Sequence, residues 1–158
     1  MTMKQIILIL SVAFFFAFNS YAQDYKTGIG IRSGWGTGLS VKHFMDKTTA
    51  LEAIFDTRWK GVAAGLLYEI HQNAFNTDLL KWYYGAGGHI GFWDSKNVKW
   101  GNNTGNYSIV GVDGILGLEY NFEEIPISIS IDWKPALNIS GYSGFWGDGG
   151  GISIRYTF

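Results

Sequence analysis

Cysteine is absent from the 158 residues, so neither a disulfide scaffold nor a thiolate metal site can form, and the redox compartment leaves no mark. Proline occurs twice. Charged residues make up only 16% of the chain with a formal net charge of -1, which leaves no basic footprint for nucleic acid or for an anionic surface. A hydrophobic content of 47% excludes a disordered chain. After Ala22 no apolar run approaches the roughly 20 residues that a membrane-spanning helix needs. What is abundant is ring and glycine: seven Trp, nine Tyr, eleven Phe and 22 Gly within the length of one domain. So many rings among so few charges point to a surface that water need not solvate, with an aromatic-rich soluble sandwich as the alternative.

The first 22 residues read as a segment of their own. Lys4 supplies a positive start, IILILSVAFFFAF an apolar core too short for an anchor helix, and Ser20-Tyr21-Ala22 a small-x-small cleavage site before Gln23. Residues 1–22 are therefore expected to be a cleaved signal peptide, and residues 23–158 a single exported domain.

That domain reads as about eight strands of period two, over Tyr25–Ser33, Leu39–Phe44, Thr49–Arg58, Val62–His71, Lys81–Trp93, Ser108–Phe122, Ile125–Pro135 and Phe145–Phe158. Successive side chains of a strand point to opposite faces. In the seventh segment Ile127, Ile129, Ile131 and Trp133 share one face, and Ser128, Ser130, Asp132 and Lys134 the other. Every long segment is amphipathic in this way; the second is least clean, because Phe44 breaks the register set by Leu39 and Val41, as a bulge would.

An apolar sheet face can turn inward to make a core or outward into lipid, and the period alone does not choose. Two features favour lipid. Ten residues at about 3.3 Å each, tilted by about 40°, span about 25 Å, the height of the lipid-facing band of an outer-membrane barrel. Aromatics also gather at strand ends. Trp35, Trp59, Phe92, Trp93, Trp133, Phe145 and Trp146 lie toward one rim, and Tyr25, Phe44, Tyr68, Trp82, Tyr84, Tyr120, Phe122, Tyr156 and Phe158 toward the other, as two membrane interfaces would select. Open sheet edges are not viable in hydrocarbon, so the expected fold is a closed, all-β, eight-stranded antiparallel up-and-down barrel.

The polar face then becomes the lumen. Lys26, Arg32, Lys42, Arg58, Lys134 and Arg155 are assigned inside, with Glu52, Asp56, Glu69, Asp113, Glu119 and Asp132. The signs balance, and an eight-stranded barrel is just wide enough for its own side chains, so this lumen reads as filled and ion-paired. Gly65, Gly85, Gly87, Gly91, Gly111 and Gly117 on the same face leave room for the long polar groups.

The signal segment ending Ala22-Gln23, LKWYYGAGGHIGFWD (80–94), VGVDGILGLEYNFEEIPISISIDWKPALN (110–138) and the final ISIRYTF carry a family resemblance. The chain resembles a small outer-membrane β-barrel protein of the Bacteroidetes type, similar in architecture to the OmpA transmembrane domain and OmpX. The resemblance implies that Ile154, Tyr156 and Phe158 act as the signal read by the outer-membrane assembly machinery, with outer-membrane lipids as the other partner. With both ends periplasmic, Met45–Thr48, His71–Leu80 and Phe122–Pro126 become periplasmic turns, the second with a short helical turn at Asn76–Leu80. The stretch 94–107, with Trp100 amid Asn and Gly, becomes an external loop that could hold a surface ligand.

Little in the sequence calls for catalysis. His43, His71 and His89 lie on different strands and form no metal-binding pair. A barrel-type lipid A deacylase would resemble a His-x-Ser arrangement, and His89-Ile90-Gly91 lacks the serine. GAGG and GDGGG lack the Lys-Ser/Thr of a phosphate loop. The expectation is a non-catalytic barrel without cofactor or metal, in a structural or surface-interaction role. The alternatives are a narrow channel or binder for a small hydrophobic or ionic solute, a lipid-modifying enzyme, and a soluble periplasmic lipid-binding barrel.

Overall fold

The computed structural model describes residues 25–94, 105–141 and 143–158. The stretch expected to be a signal peptide and most of the 94–107 stretch lie outside these residues. The strands are β1 (Thr27–Gly34), β2 (Thr37–Phe44), β3 (Thr49–Arg58), β4 (Gly61–Ala74), β5 (Thr77–Asp94), β6 (Asn106–Asn121), β7 (Ile127–Trp133), β8 (Ala136–Ser140), β9 (Gly144–Trp146) and β10 (Gly150–Thr157). All pairings are antiparallel. Neighbours follow one another from β1 to β7, β7 pairs with β10, and β10 returns to β1, so the sheet closes on itself.

The ten segments build eight walls. β7 and β8 both pair with β6 and form one wall, interrupted at Lys134-Pro135 because proline has no N–H for the ladder. Beside it, β9 and β10 form the last wall with Gly147–Gly149 between them. Two bonds bridge the dislocation, Lys134 N–H to Gly149 O at 2.8 Å and Gly114 N–H to Pro135 O at 2.9 Å. The fold is thus the expected all-β, eight-stranded antiparallel barrel. The seventh wall runs on past Pro135, and the eighth is interrupted where one continuous strand was expected.

Two connections are tighter than the sequence suggests. Trp59-Lys60 and Phe75-Asn76 each link two strands through a pair of residues at positive φ, 50° and 59° in the first and 53° and 57° in the second. Positive φ at both central positions gives the hairpin turn whose twist matches that of the flanking strands. The expected ten-residue connection His71–Leu80 with a helical turn is therefore replaced by strand on both sides of Phe75-Asn76. The bulge expected at Phe44 is absent too: β2 keeps an unbroken register with β1 and β3, and Phe44 simply points inward.

We call the end carrying Trp35, the Trp59-Lys60 turn and the β5–β6 connection the upper end. The lower end carries Tyr25, Phe158 and the turns at Asp46, at Phe75 and at 122–126.

The faces are inverted relative to a water-soluble protein. Ile31, Leu66, Val112, Leu118, Ile131 and Ile154 are exposed on the outside, whereas Arg155, Lys42, Glu52, Glu69 and Glu119 are at most 1% exposed. Most large apolar side chains of a soluble barrel would be inside.

Candidate functional site

The interior is stacked in layers. Near the lower end lie Tyr25, Phe44 and His71, with Phe44 edge-on to both neighbours and His71 stacked on Tyr83 at 4.8 Å. Above them is an ionic layer. Lys42 Nζ, at the centre, is 3.2 Å from Glu52, 2.9 Å from Glu69 and 3.1 Å from Glu119. Arg155 Nη2 donates to Glu52, Nη1 to Ser130 at 2.8 Å and Nε to Ser40 at 2.6 Å. Tyr25 donates to Glu119 at 2.6 Å, and His71 Nε2 is 2.9 Å from Glu69. Desolvated charges are tolerable only with partners of this quality, which six different strands supply here.

An apolar layer follows, with Ile54, Leu67, Tyr83 and Ile115 packed together across the lumen. Glycine makes this possible at one point: a Cβ on Gly117 would lie 2.5 Å from the Tyr83 ring. The upper ionic layer comes next. Arg32 pairs with Asp132 at 2.5 Å, Lys134 with Asp113 at 2.9 Å, and the His89 ring sits between Asp113 at 2.7 Å and the Asn138 side chain at 2.9 Å. Gly151 is cut away beneath the Arg32 guanidinium, where a Cβ would come within 2.7 Å.

The upper end is lined by tryptophan. Trp93 and Ile109 form a buried cluster against which Trp35, Tyr107 and Trp146 pack, and Trp93 Nε1–H donates to Arg58 O at 2.9 Å. The Arg58 guanidinium lies over Trp35 and Trp59, 4.3 and 3.9 Å from their ring centroids. Between this roof and the upper ionic layer is a cavity of about 40 Å³, bounded by Ile54, Asp56, His89, Trp93, Lys134 and Trp146 among others.

Of the charged residues assigned to the lumen, eleven point inward: Arg32, Lys42, Glu52, Asp56, Arg58, Glu69, Asp113, Glu119, Asp132, Lys134 and Arg155. Lys26 does not; it precedes β1, is exposed, and is held by its backbone N–H to Phe158 O at 3.2 Å. The aromatic belts divide. Trp82 and Tyr84 stack outside at 5.2 Å, and Tyr120 meets Phe122 edge-on at 4.9 Å. Trp59 is exposed in its turn, and Trp133 is exposed with its Nε1–H donated to Gly147 O at 2.7 Å. Ile154, Tyr156 and Phe158 share the outer face of the β10 wall. Trp93 is corrected: at 4% exposure it is an interior residue, because it shares parity with His89 and Gly91. Trp35 and Trp146 belong with it in the upper roof, and Tyr25 and Phe44 in the lower layer, not in a belt.

Sequence reading missed the apolar layer. Ile54 and Ile115 are two residues from Glu52 and Asp113 on the same face, and Leu67 two from Glu69, so parity places them inside although their chemistry argues otherwise. Lys81 was missed as well and is buried by the same parity. No protein-family model matches the chain, and no curated protein matches its sequence.

Proposed function

We propose that this protein is an integral barrel of a bacterial outer membrane, of the small kind represented by the OmpA transmembrane domain and OmpX. In this reading it is non-catalytic and serves a structural or surface-interaction role. The observation that carries the reading is the inversion of burial: aliphatic side chains cover the outside and salt-bridged ones fill the inside. Burying apolar area is worth roughly 25 cal/mol per Å², so a large exposed aliphatic surface in water would be strongly unfavourable, while acyl chains are a neutral neighbour for it. Closure supports the same reading, because backbone groups find no partners in hydrocarbon at an open edge. Ile154, Tyr156 and Phe158 on the outer face of the closing wall are the residues we assign to recognition by the assembly machinery.

In this reading the lumen histidine His89 is a structural member of the upper ionic layer, with Nδ1 facing Asp113 and Nε2 facing Asn138. On the outer side, His43 Nδ1 lies 2.9 Å from Thr27 Oγ1.

Cell fractionation with gel migration before and after boiling tests the proposal. The expected result is recovery in the outer-membrane fraction and faster migration of the unboiled, detergent-extracted protein. Recovery as a soluble periplasmic protein would overturn it.

A further inference from the structure

The lower ionic layer does not balance. Its anions are Glu52, Glu69 and Glu119 and its permanent cations Lys42 and Arg155, all of them buried. Lys81 stands apart, beyond the Phe44 ring at the lower end with Asp46 and Lys47. Three carboxylates against two cations leave one negative charge uncompensated, and in a dry interior that is strongly destabilising.

The hydrogen bonds show where a single proton would remove it. Glu119 accepts at both oxygens, Oε1 from Tyr25 and Oε2 from Lys42. Glu52 Oε1 accepts from Ser40 and Arg155, and Glu69 Oε2 faces Lys42 at 2.9 Å and His71 Nε2 at 2.9 Å. One oxygen on each of two neighbours remains: Glu52 Oε2 and Glu69 Oε1 are buried without a hydrogen bond among the described residues. The two carboxyl groups lie within hydrogen-bonding reach of each other. Two carboxylates side by side repel, whereas an acid and a carboxylate form a hydrogen bond. Arg155 holds Glu52 as the anion of such a pair, which leaves Glu69 as the acid. His71 is the poorer seat for the proton. Its Nδ1 has no acceptor, and its ring is stacked on Tyr83 and edge-on to Phe44, so a second N–H there would go unsatisfied.

We propose that the lower layer is a proton-binding site, in which one proton on Glu69, donated to Glu52, is taken up as the barrel closes and held at neutral pH. Glu69 Oε2 stays free to accept from Lys42 and from His71 Nε2–H, and two positive charges then face two negative ones. The titratable groups around the pair are Lys42 on β2, His71 on β4, Tyr83 on β5, Glu119 on β6, Arg155 on β10 and Tyr25 ahead of β1. In the unfolded chain all three glutamates are ionised at neutral pH. The folded barrel therefore binds one proton more than the unfolded chain, and its stability falls as pH rises through that range. The site depends on the closed barrel and not on where that barrel resides, so it can fail while the membrane reading stands, and the reverse.

Infrared spectroscopy on the full chain folded in a nonionic detergent tests the site, with the protein isotopically labelled at the glutamate side-chain carboxyl. At neutral pH the wild type is expected to show the carbonyl band of a protonated carboxylic acid, shifted by the label and by transfer to deuterium oxide. Glu69→Gln, checked for folding by its unboiled gel migration, is expected to lose that band. Between about pH 7 and 8.5, above the histidine range, the wild-type folding constant should fall with pH more steeply than that of Glu69→Gln, by up to about tenfold per pH unit. Absence of a label-sensitive acid band in the wild type, persistence of the band in folded Glu69→Gln, or equal pH slopes would each overturn the proposal. The wild-type spectrum decides even where the variant does not fold.

Discussion

Arg155 is completely buried, yet it lies in β10 between Ile154 and Tyr156, which face outward. Its guanidinium is held by Glu52, Ser40 and Ser130, and Glu119 lies 3.6 Å away. Removing one member of such a set leaves uncompensated buried charge, which costs more than the pair itself contributes. Arg155→Met is therefore expected to destabilise the barrel by about 3–5 kcal/mol. Lys47→Met in the exposed β2–β3 turn should change stability by no more than about 0.5 kcal/mol. Urea unfolding of the detergent-folded proteins measures both. At this scale the sequence was largely readable, since eleven of the twelve assigned charges point inward. Trp93, Trp35 and Trp146 were misplaced because a tryptophan near a strand end suggests an interface, whereas strand parity alone decides which side it takes.

Among the elements, the seventh wall was the most legible and the β4–β5 turn the least. Alternation of isoleucine with Ser128, Ser130 and Asp132 needs only the two-residue period. The turn at Phe75-Asn76 has no glycine to announce positive φ, so the flanking strands could not be extended to meet it. Register across the lumen was hidden for another reason: the meeting of Ile54 with Leu67, Tyr83 and Ile115 depends on ring closure, which no local pattern encodes. The β2–β3 turn is built on Asp46, whose carboxylate accepts from Thr48 N–H, Thr48 Oγ1–H and Thr49 N–H. These bonds, the Thr48 N–H first, hold the Asp46 carboxyl below its ordinary value. A depressed folded-state value stabilises the fold above the unfolded pKa, and that contribution is lost as pH falls through the folded value. Asp46→Ala should therefore lower the unfolding midpoint at neutral pH, and the gap to the wild type should close on acidification below the ordinary carboxylate range. A gap of constant size across that pH range would show that the charge plays no part.

The molecule as a whole has its solvent preferences turned outward, and this can be read from one outer position near the middle of β6. Val112 is 46% exposed and pairs with Gly88 and Leu137. In a lipid bilayer Val112→Lys is expected to cost about 2–4 kcal/mol, because a lysine near the midplane loses its hydration. On a water-soluble barrel the same change would stay within about 0.5 kcal/mol. Folding titrations in lipid vesicles distinguish the two.

Arg155 also has a bearing on how the ring comes together. Its partners stand on β2, β3, β6 and β7, while its own strand is the one that zips to β1. No half-assembled sheet can give this side chain its final surroundings, and Lys42, with acceptors on three strands, is in the same position. The last seam and the drying of the charges are accordingly one event, a keystone set in a single stroke. Until then the interior has to stay wet.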